Sequence, residues 1–559
     1  MSILKIVGTE TELRLDVSSG NTHSYSNSSI DLMSERILPS KLVNRALDIE
    51  GLKTIRCMER DVHERQSLVD SHVKYLGSSH QTIDEIIEEH LSPFSDSNSE
   101  LERAYLREDQ LYQHFGFSGG YLYSGHRIYV DGTHPEVCTP ECASPLDLVC
   151  WEKAGMVIIE RARQSLSKAT GHNIVLYKNV SDGLGSSWGA HENYLVTKEL
   201  FNGLTRYSFR LDRVKAFWIT FLITRYIYAG AGKLGIELSD ASSELVNWGS
   251  DFRNKDGIFL LSSRAQFITK LIGINTMFDR GFINTRDIPY IDRSIGRRLH
   301  VIVGDANMCD TAIYLKVGMA MIVLMMLEDI DSYHVEMPVL SDFFDSIKSI
   351  VFDTELKNKL SVETSNGTKN LTAIEIQRCI LESARKWYEF ASNEHPQSKI
   401  GWVVGVLDTL EGVLDDLCYR KESLYGKIDW ITKKMIVERV LNRHRCGWED
   451  VDGGEIIISG NKRSLFSYLR GLDMAYHRLD SKGIFLTEER KGNVVSLVNA
   501  DQLSVALATP PKDTRAFDRM MLVNIYGQAI KSASWEFVFI VDGLESKILD
   551  LKSPWRRLF

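Results

Sequence analysis

The sequence predicts a compact α/β or α+β body, one large domain followed by a smaller one, and three observations predict it. Polar and apolar residues alternate over Val7–Leu15 and His126–Asp131, the period of a half-buried strand. Amphipathic helical patterns dominate roughly 205–280 and 310–445. From Glu449 to Phe559 the chain returns to short apolar runs broken by Gly and Pro, with a small C-terminal domain beginning near 490. With 559 residues, 43% hydrophobic and 25% charged, the chain is long enough for such a core, and no repeat at solenoid or propeller periods points elsewhere.

Taken in order, Met1-Ser2-Ile3-Leu4-Lys5-Ile6-Val7 runs straight into a strand without the apolar stretch of a signal peptide, and the expected location is cytoplasmic. In the strand Val7–Leu15, Glu10, Glu12 and Arg14 share one face, while Leu13 and Leu15 take the other. Residues 16–31, rich in Ser, Asn and Gly, read as a loop, and 83–100, rich in acids, as a solvated insertion. In His126–Asp131, Arg127, Tyr129 and Asp131 share a face and Ile128 and Val130 pack behind; a solvent-facing sheet surface is the plainer reading of such a face.

Gly132-Thr133-His134-Pro135-Glu136 follows, then Glu141 and a helix that starts at Ser144-Pro145, with Ser as N-cap and Pro at the first helical position. If Glu10, Asp131 and Glu136 converge, they form the oxygen-rich setting that Mg²⁺ prefers, with phosphate oxygens completing the shell. Further on, Tyr177-Lys178-Asn179 precedes a Gly- and Ser-rich turn at 181–189, and His191–Val196 reads as a strand. Ala216–Ile227 and Ala312–Leu327 are apolar, but each is shorter than a membrane span and carries Arg225 or Lys316, which makes them core helices. Asn284-Thr285-Arg286-Asp287 and Arg297–Asn307 add cations and His300 beside another apolar strand.

A net charge of −9 argues against a general nucleic-acid binder. The eight cysteines form no CxxC pair and no zinc spacing, and read as reduced thiols. Gly185-Ser186-Ser187-Trp188-Gly189 matches GxSxG, but a strand follows it where a nucleophile elbow needs a helix. Gly230–Gly235 resembles a nucleotide loop yet follows a helix, so it reads as a helix C-cap.

Together the segments Gly8-Thr9-Glu10-Thr11-Glu12, Arg127-Ile128-Tyr129-Val130-Asp131, His134-Pro135-Glu136, Tyr177-Lys178-Asn179, His191-Glu192-Asn193-Tyr194-Leu195, Asn284-Thr285-Arg286-Asp287, Arg298–Asp305, Thr514-Arg515-Ala516 and Ser534-Trp535 resemble the Pup ligase and Pup deamidase/depupylase family. The resemblance implies an α+β, glutamine-synthetase-like fold. A large domain over 1–489 carries a curved, mostly antiparallel sheet backed by helices and an irregular insertion at about 83–120; a small domain over 490–559 completes the nucleotide site. It implies ATP, or ADP plus phosphate, and Mg²⁺ as cofactors. Glu10, Tyr129 and Glu136 match the family's magnesium positions, Asp131 its catalytic aspartate, and Arg127, Thr139 and Trp535 its ATP contacts. His191 and His300 are expected at the metal, Asn193, Arg298 and Arg515 at the nucleotide, and Arg286 and Glu192 at the substrate.

Two chemistries are implied by the resemblance. A ligase phosphorylates a glutamate side chain with ATP and joins it to a lysine amine; a hydrolase cleaves a glutamine or isopeptide amide while nucleotide stays bound. Only Gly132 and Thr133 separate Asp131 from His134, which is similar to the hydrolase, whereas Ala475-Tyr476-His477 and Gly483-Ile484-Phe485 are closer to the ligase. Val180, Val137 and Ile288-Pro289-Tyr290 depart from the family pattern, the last losing an acid and a histidine. The expected partner is therefore a Pup-like small protein or, in a divergent paralogue, another peptide or small carboxylate, without nucleic acid or membrane. A non-catalytic nucleotide-binding module is the third reading.

Overall fold

The computed structural model describes residues 4–19, 38–47, 54–57, 119–183, 185–206, 211–237, 258–333, 335–394, 400–458, 460–543 and 545–559. The acidic stretch 83–100, nearly all of the insertion expected to 120, and most of the loop expected over 16–31 lie outside them.

The chain opens with β1 (Val7–Glu12) and β2 (Arg14–Ser19), followed by β3 (Thr54–Cys57), β4 (Gly119–Leu122), β5 (Arg127–Asp131), β6 (His134–Cys138), β7 (His172–Tyr177) and β8 (Ala190–Val196). Short strands β9 (Lys233–Leu234), β10 (Phe259–Leu260), β11 (Ile268–Gly273), β12 (Arg280–Asn284) and β13 (Arg297–Val301) come next. Seven of these form the main sheet in the order β13-β8-β1-β6-β5-β4-β3, and every neighbouring pair is antiparallel. The expected antiparallel sheet is present, and helices back one of its faces.

Helix Pro145–Thr170 lies under β1 and β6, and Leu38–Leu47 under β4, β5 and β6. The longer helix begins where the sequence places it: Ser144 Oγ accepts from the Asp147 backbone N–H at 3.1 Å, and Pro145 takes the first turn. It ends at Gly171, whose φ of 71° is the left-handed geometry of a C-cap. On β1 the inward residues Val7, Thr9 and Thr11 are buried, and the Thr9 hydroxyl donates to Glu152 of this helix at 3.1 Å. That pins one face of β1 to the helical layer and leaves Gly8, Glu10 and Glu12 on the other.

Asp310–Glu328 is apolar all round, and at 19 residues it is long and apolar enough to cross a membrane, longer than the run read from the sequence. In the structure 94% of its apolar window is buried, against β8, Pro145–Thr170 and Trp402–Tyr419, so its hydrophobicity serves the core. The other apolar run is the buried helix Arg213–Thr224, continued by Tyr226–Ala229 and capped at Gly230, as the sequence reading held.

Two expectations change. Residues 16–19, expected in a loop, extend β2 in a ribbon with β7. The stretch 205–280, expected mainly helical, contains β9, β10 and β11, whose short apolar runs pair into ribbons; periodicity alone cannot separate a four- to eight-residue apolar strand from a piece of buried helix. The separate C-terminal cluster gathers Leu522, Ile530, Ala533, Val538, Ile540 and Leu551 around Tyr121. Phe485, Val498 and Ala506 pack in the main core.

Candidate active site

Register across five strands builds the site. Glu10 of β1 lies opposite His191 of β8 and Cys138 of β6, and Glu12 lies opposite Glu136. Tyr129 of β5 pairs with Glu136, Arg127 with Cys138, and Asp131 with His134 across the tight turn at Gly132, where φ is +56°. Asn193 lies opposite His300 of β13. Because side chains alternate, all of these point away from the helical layer.

The carboxylates divide into two groups. Glu10 joins His191 and His300, and Glu12 joins Asp131 and Glu136; within each group the ligand atoms lie within 4.8 Å of one another. The sequence grouped Glu10 with Asp131 and Glu136 and assigned Glu12 no role. Register adds Glu12, the β1 residue directly opposite Glu136, while the charge of Glu10 also reaches Glu136. The signal for Glu12 was present as the second acid of the Glu10/Glu12 alternation.

Electrostatics distinguish the groups. Burial opposes ionisation of Glu10, but a hydrogen bond from His191 and the nearby His300 and Arg298 hold its carboxyl well below the usual range. Glu12 is pushed up to about 8 by burial and by Asp131, and Glu136 is raised by burial, Asp131 and Glu10. Buried acids this close repel one another unless a proton or a cation intervenes. Burial, with Arg298 beside it, keeps the His300 imidazole neutral; His191 is lowered by burial too, against the pull of Glu10. Neutral imidazoles are the form that binds metal.

These residues fit a divalent cation. Nε2 of His191 is buried without a hydrogen-bond partner while its Nδ1 faces Glu10 at 3.5 Å, an available lone pair in the first group. Backbone at Gly189 approaches so closely that a Cβ there would lie 2.3 Å from His191 Nε2 and 2.6 Å from Glu12 Oε1. Tyr129, expected at the metal, adjoins the second group: burial raises its phenol, which stays protonated and donates to Glu136.

Asn193 knits the first group together. Its Nδ2 donates to Glu10 Oε1 at 3.0 Å, and its Oδ1 accepts from Arg298 at 2.8 Å and bonds His300 Nδ1 at 2.8 Å. Beyond it opens a pocket bounded by Gly8, Glu10, Thr139, Tyr290, Arg298 and Trp535. Asn193 and Arg515 also line it, so five of the six residues expected at the nucleotide border one cavity. The sixth, Arg127, lies over the Tyr129 ring at 4.7 Å and the Trp535 ring at 5.9 Å.

Arg515 reaches this wall from the small C-terminal unit. It donates to Glu141 at 2.6 Å and to the Tyr290 carbonyl at 2.5 Å, and Arg519 donates to Glu141 at 3.2 Å. Glu141, read with the strand-end acids, is thus the counter-ion of two arginines rather than part of the acid groups. Burial opposes its ionisation, but Arg519 and Arg515 hold its carboxyl at about 2.

Glu192 departs from its expected role at the substrate. It is wholly buried on the opposite side of β8, held by Arg225 at 2.7 and 2.9 Å and by the Tyr194 hydroxyl at 2.5 Å. Alternation explains this, since its neighbours His191 and Asn193 take the site face. Arg286 is buried near enough to lower both site histidines, which places its charge beside the metal-type group. The GxSxG serine is also accounted for: Ser187 donates to the Val180 carbonyl at 2.7 Å and accepts from Arg264 at 2.6 Å.

A family model described as Pup-ligase protein matches residues 5–539. The chain is 34% identical over 440 residues to a depupylase of Acidothermus cellulolyticus, covering 77% of each chain. It is 32% identical over 451 residues to a Pup–protein ligase of Acidimicrobium ferrooxidans, covering 78% of this chain and 87% of the relative. The solved structure of the Pup ligase PafA in complex with ADP superposes with a TM-score of 0.64 at 27% identity, over 86% of this chain and 93% of that one.

Proposed function

We propose that this chain, which belongs to the Pup-ligase protein family, uses ATP and Mg²⁺ to act on an amide between a side-chain carboxylate and an amine, in the hydrolytic direction of a Pup deamidase/depupylase. The chain is an enzyme of a family whose relatives carry the names of both directions, depupylase and Pup–protein ligase. The observation that carries the reading is the place of Asp131. It is the exposed member of the group with Glu12 and Glu136, at the rim of a sheet face that continues into the pocket bounded by Arg298 and Trp535.

Thr139, Asn193, Arg298, Arg515 and Trp535 would hold the nucleotide, and Arg298 suits phosphate because its guanidinium presents a planar fork of donors. Glu10, His191 and His300, with Glu12 and Glu136, would hold Mg²⁺, which supplies charge neutralisation for phosphate and for a developing oxyanion. Asp131 takes a proton from the attacking group, water in hydrolysis or a lysine amine in ligation. Its exposure leaves that step open to a macromolecular substrate, a Pup-like small protein or another peptide or small carboxylate. A cytoplasmic setting belongs to the same proposal and agrees with the free thiols of Cys138, Cys142, Cys150, Cys309, Cys379, Cys418 and Cys446.

Direction rests on the two-residue spacing between Asp131 and His134. The segments closer to the ligase lie in the helical core, where Tyr476 donates to Asp429 and His477 pairs with Lys433, so they bear on packing rather than chemistry. One assay separates the readings: protein, ATP, Mg²⁺, hydroxylamine and candidate carboxylates, beside glutamine-ended and isopeptide-linked peptides. Amide cleavage without ATP consumption is expected. Hydroxamate with stoichiometric ADP would assign the ligase instead, and no turnover, unchanged in Asp131→Asn, would leave a binding module.

A further inference from the structure

Tyr290 carries a non-glycine backbone in the left-handed region, at φ +49°. That conformation is unfavourable for an aromatic residue, and it persists only where surrounding contacts over-determine it. Two contacts do so here. The Tyr290 carbonyl accepts from Arg515 Nη1 at 2.5 Å, with Arg515 itself anchored on Glu141, and the Arg298 guanidinium lies 4.9 Å from the centre of the Tyr290 ring. The ring is partly exposed and borders the pocket shared with Trp535, Thr139 and Glu10.

Strain of this kind, concentrated at a pocket wall and held from both sheet and C-terminal unit, points from structure to function. The departures at 288–290 are expected to change the substrate side. The pocket places residue 290 on the wall beside the proposed nucleotide instead.

We infer that Tyr290 is a nucleotide-binding residue: its ring gives the nucleoside an aromatic wall and steadies Arg298 for phosphate, and its backbone strain is kept for that purpose. This rests on the proposed nucleotide site. A ring offers stacking to a purine base and a cation–π seat to the neighbouring guanidinium, and both are lost when it is removed.

The test measures ADP·Mg²⁺ affinity and apo thermal stability in the full chain for wild type, Tyr290→Gly, Tyr290→Asn and Tyr290→Phe. Gly and Asn both accept the left-handed backbone, so each is expected to melt at or above the wild-type temperature while binding ADP about tenfold more weakly. Tyr290→Phe restores the ring and is expected to bind within about threefold of wild type. A merely structural tyrosine would give the opposite pairing, lower stability with affinity intact. Gly and Asn variants that bind as tightly as wild type, or a Phe variant as weak as Gly, overturn this inference alone. Wild-type protein that binds no ADP overturns the nucleotide reading and this inference with it.

Discussion

Asp131 is separated from the helical core by the whole thickness of the sheet, which makes its removal a chemical rather than a structural change. Asp131→Asn is expected to lower turnover by about 10²–10⁴-fold, the usual contribution of a positioned base, with melting temperature and ADP binding unchanged. Glu192 is the reverse case. Replacing it by Gln leaves Arg225 buried without its counter-ion, a loss of ~3–5 kcal/mol that should lower the melting temperature by about 3–4 °C. ADP affinity, measured alongside, should stay within about twofold if the carboxylate has no part in the site. The residue immediately before it in the same motif, His191, should behave oppositely, weakening Mn²⁺ or Mg²⁺ binding with little effect on folding.

At the scale of elements, the approach of the β8 edge to β1 depends on Gly189. Its backbone N–H donates to Glu12 Oε1 at 2.9 Å, and a methyl group there would fall within 2.6 Å of both Glu12 and His191. Gly189→Ala is therefore expected to abolish high-affinity Mn²⁺ binding in a calorimetric titration while the far-ultraviolet circular dichroism is preserved. Alternation in β1 and β5 was legible in the chain because period two is a local property of a strand. The start of helix Pro145–Thr170 was legible for the same reason: Ser144, Pro145 and Asp147 interact within one turn. The strands β9 to β12 were hidden, since runs of two to six apolar residues are decided by their partners rather than by their own sequence.

Across the whole molecule, the small C-terminal unit closes the pocket through the Glu141 clamp on Arg515 and Arg519, and its strength depends on pH. Glu141 is held at about 2, below its unfolded value of 4.5. A carboxyl depressed in the folded state contributes stability above the unfolded pKa and loses it as pH falls through the folded one. Glu141→Gln should therefore destabilise the protein at pH 7, and the gap to wild type should narrow as pH falls from 4.5 to about 2. Hydrogen exchange should rise in 515–551 before it rises in the main core. Uniform exchange across both would show that the clamp does not govern docking.

Residue identity and local period alone determined which acids face one side of β1 and where the long helix begins. Tertiary structure alone decided that Glu12 joins Asp131 and Glu136, that Glu192 turns into the core, and that Tyr290 borders the pocket. The physical reason is register. A strand's own sequence sets which side chains point together, but the partners opposite β1 come from segments more than a hundred residues away, and one step of slip would exchange the two faces.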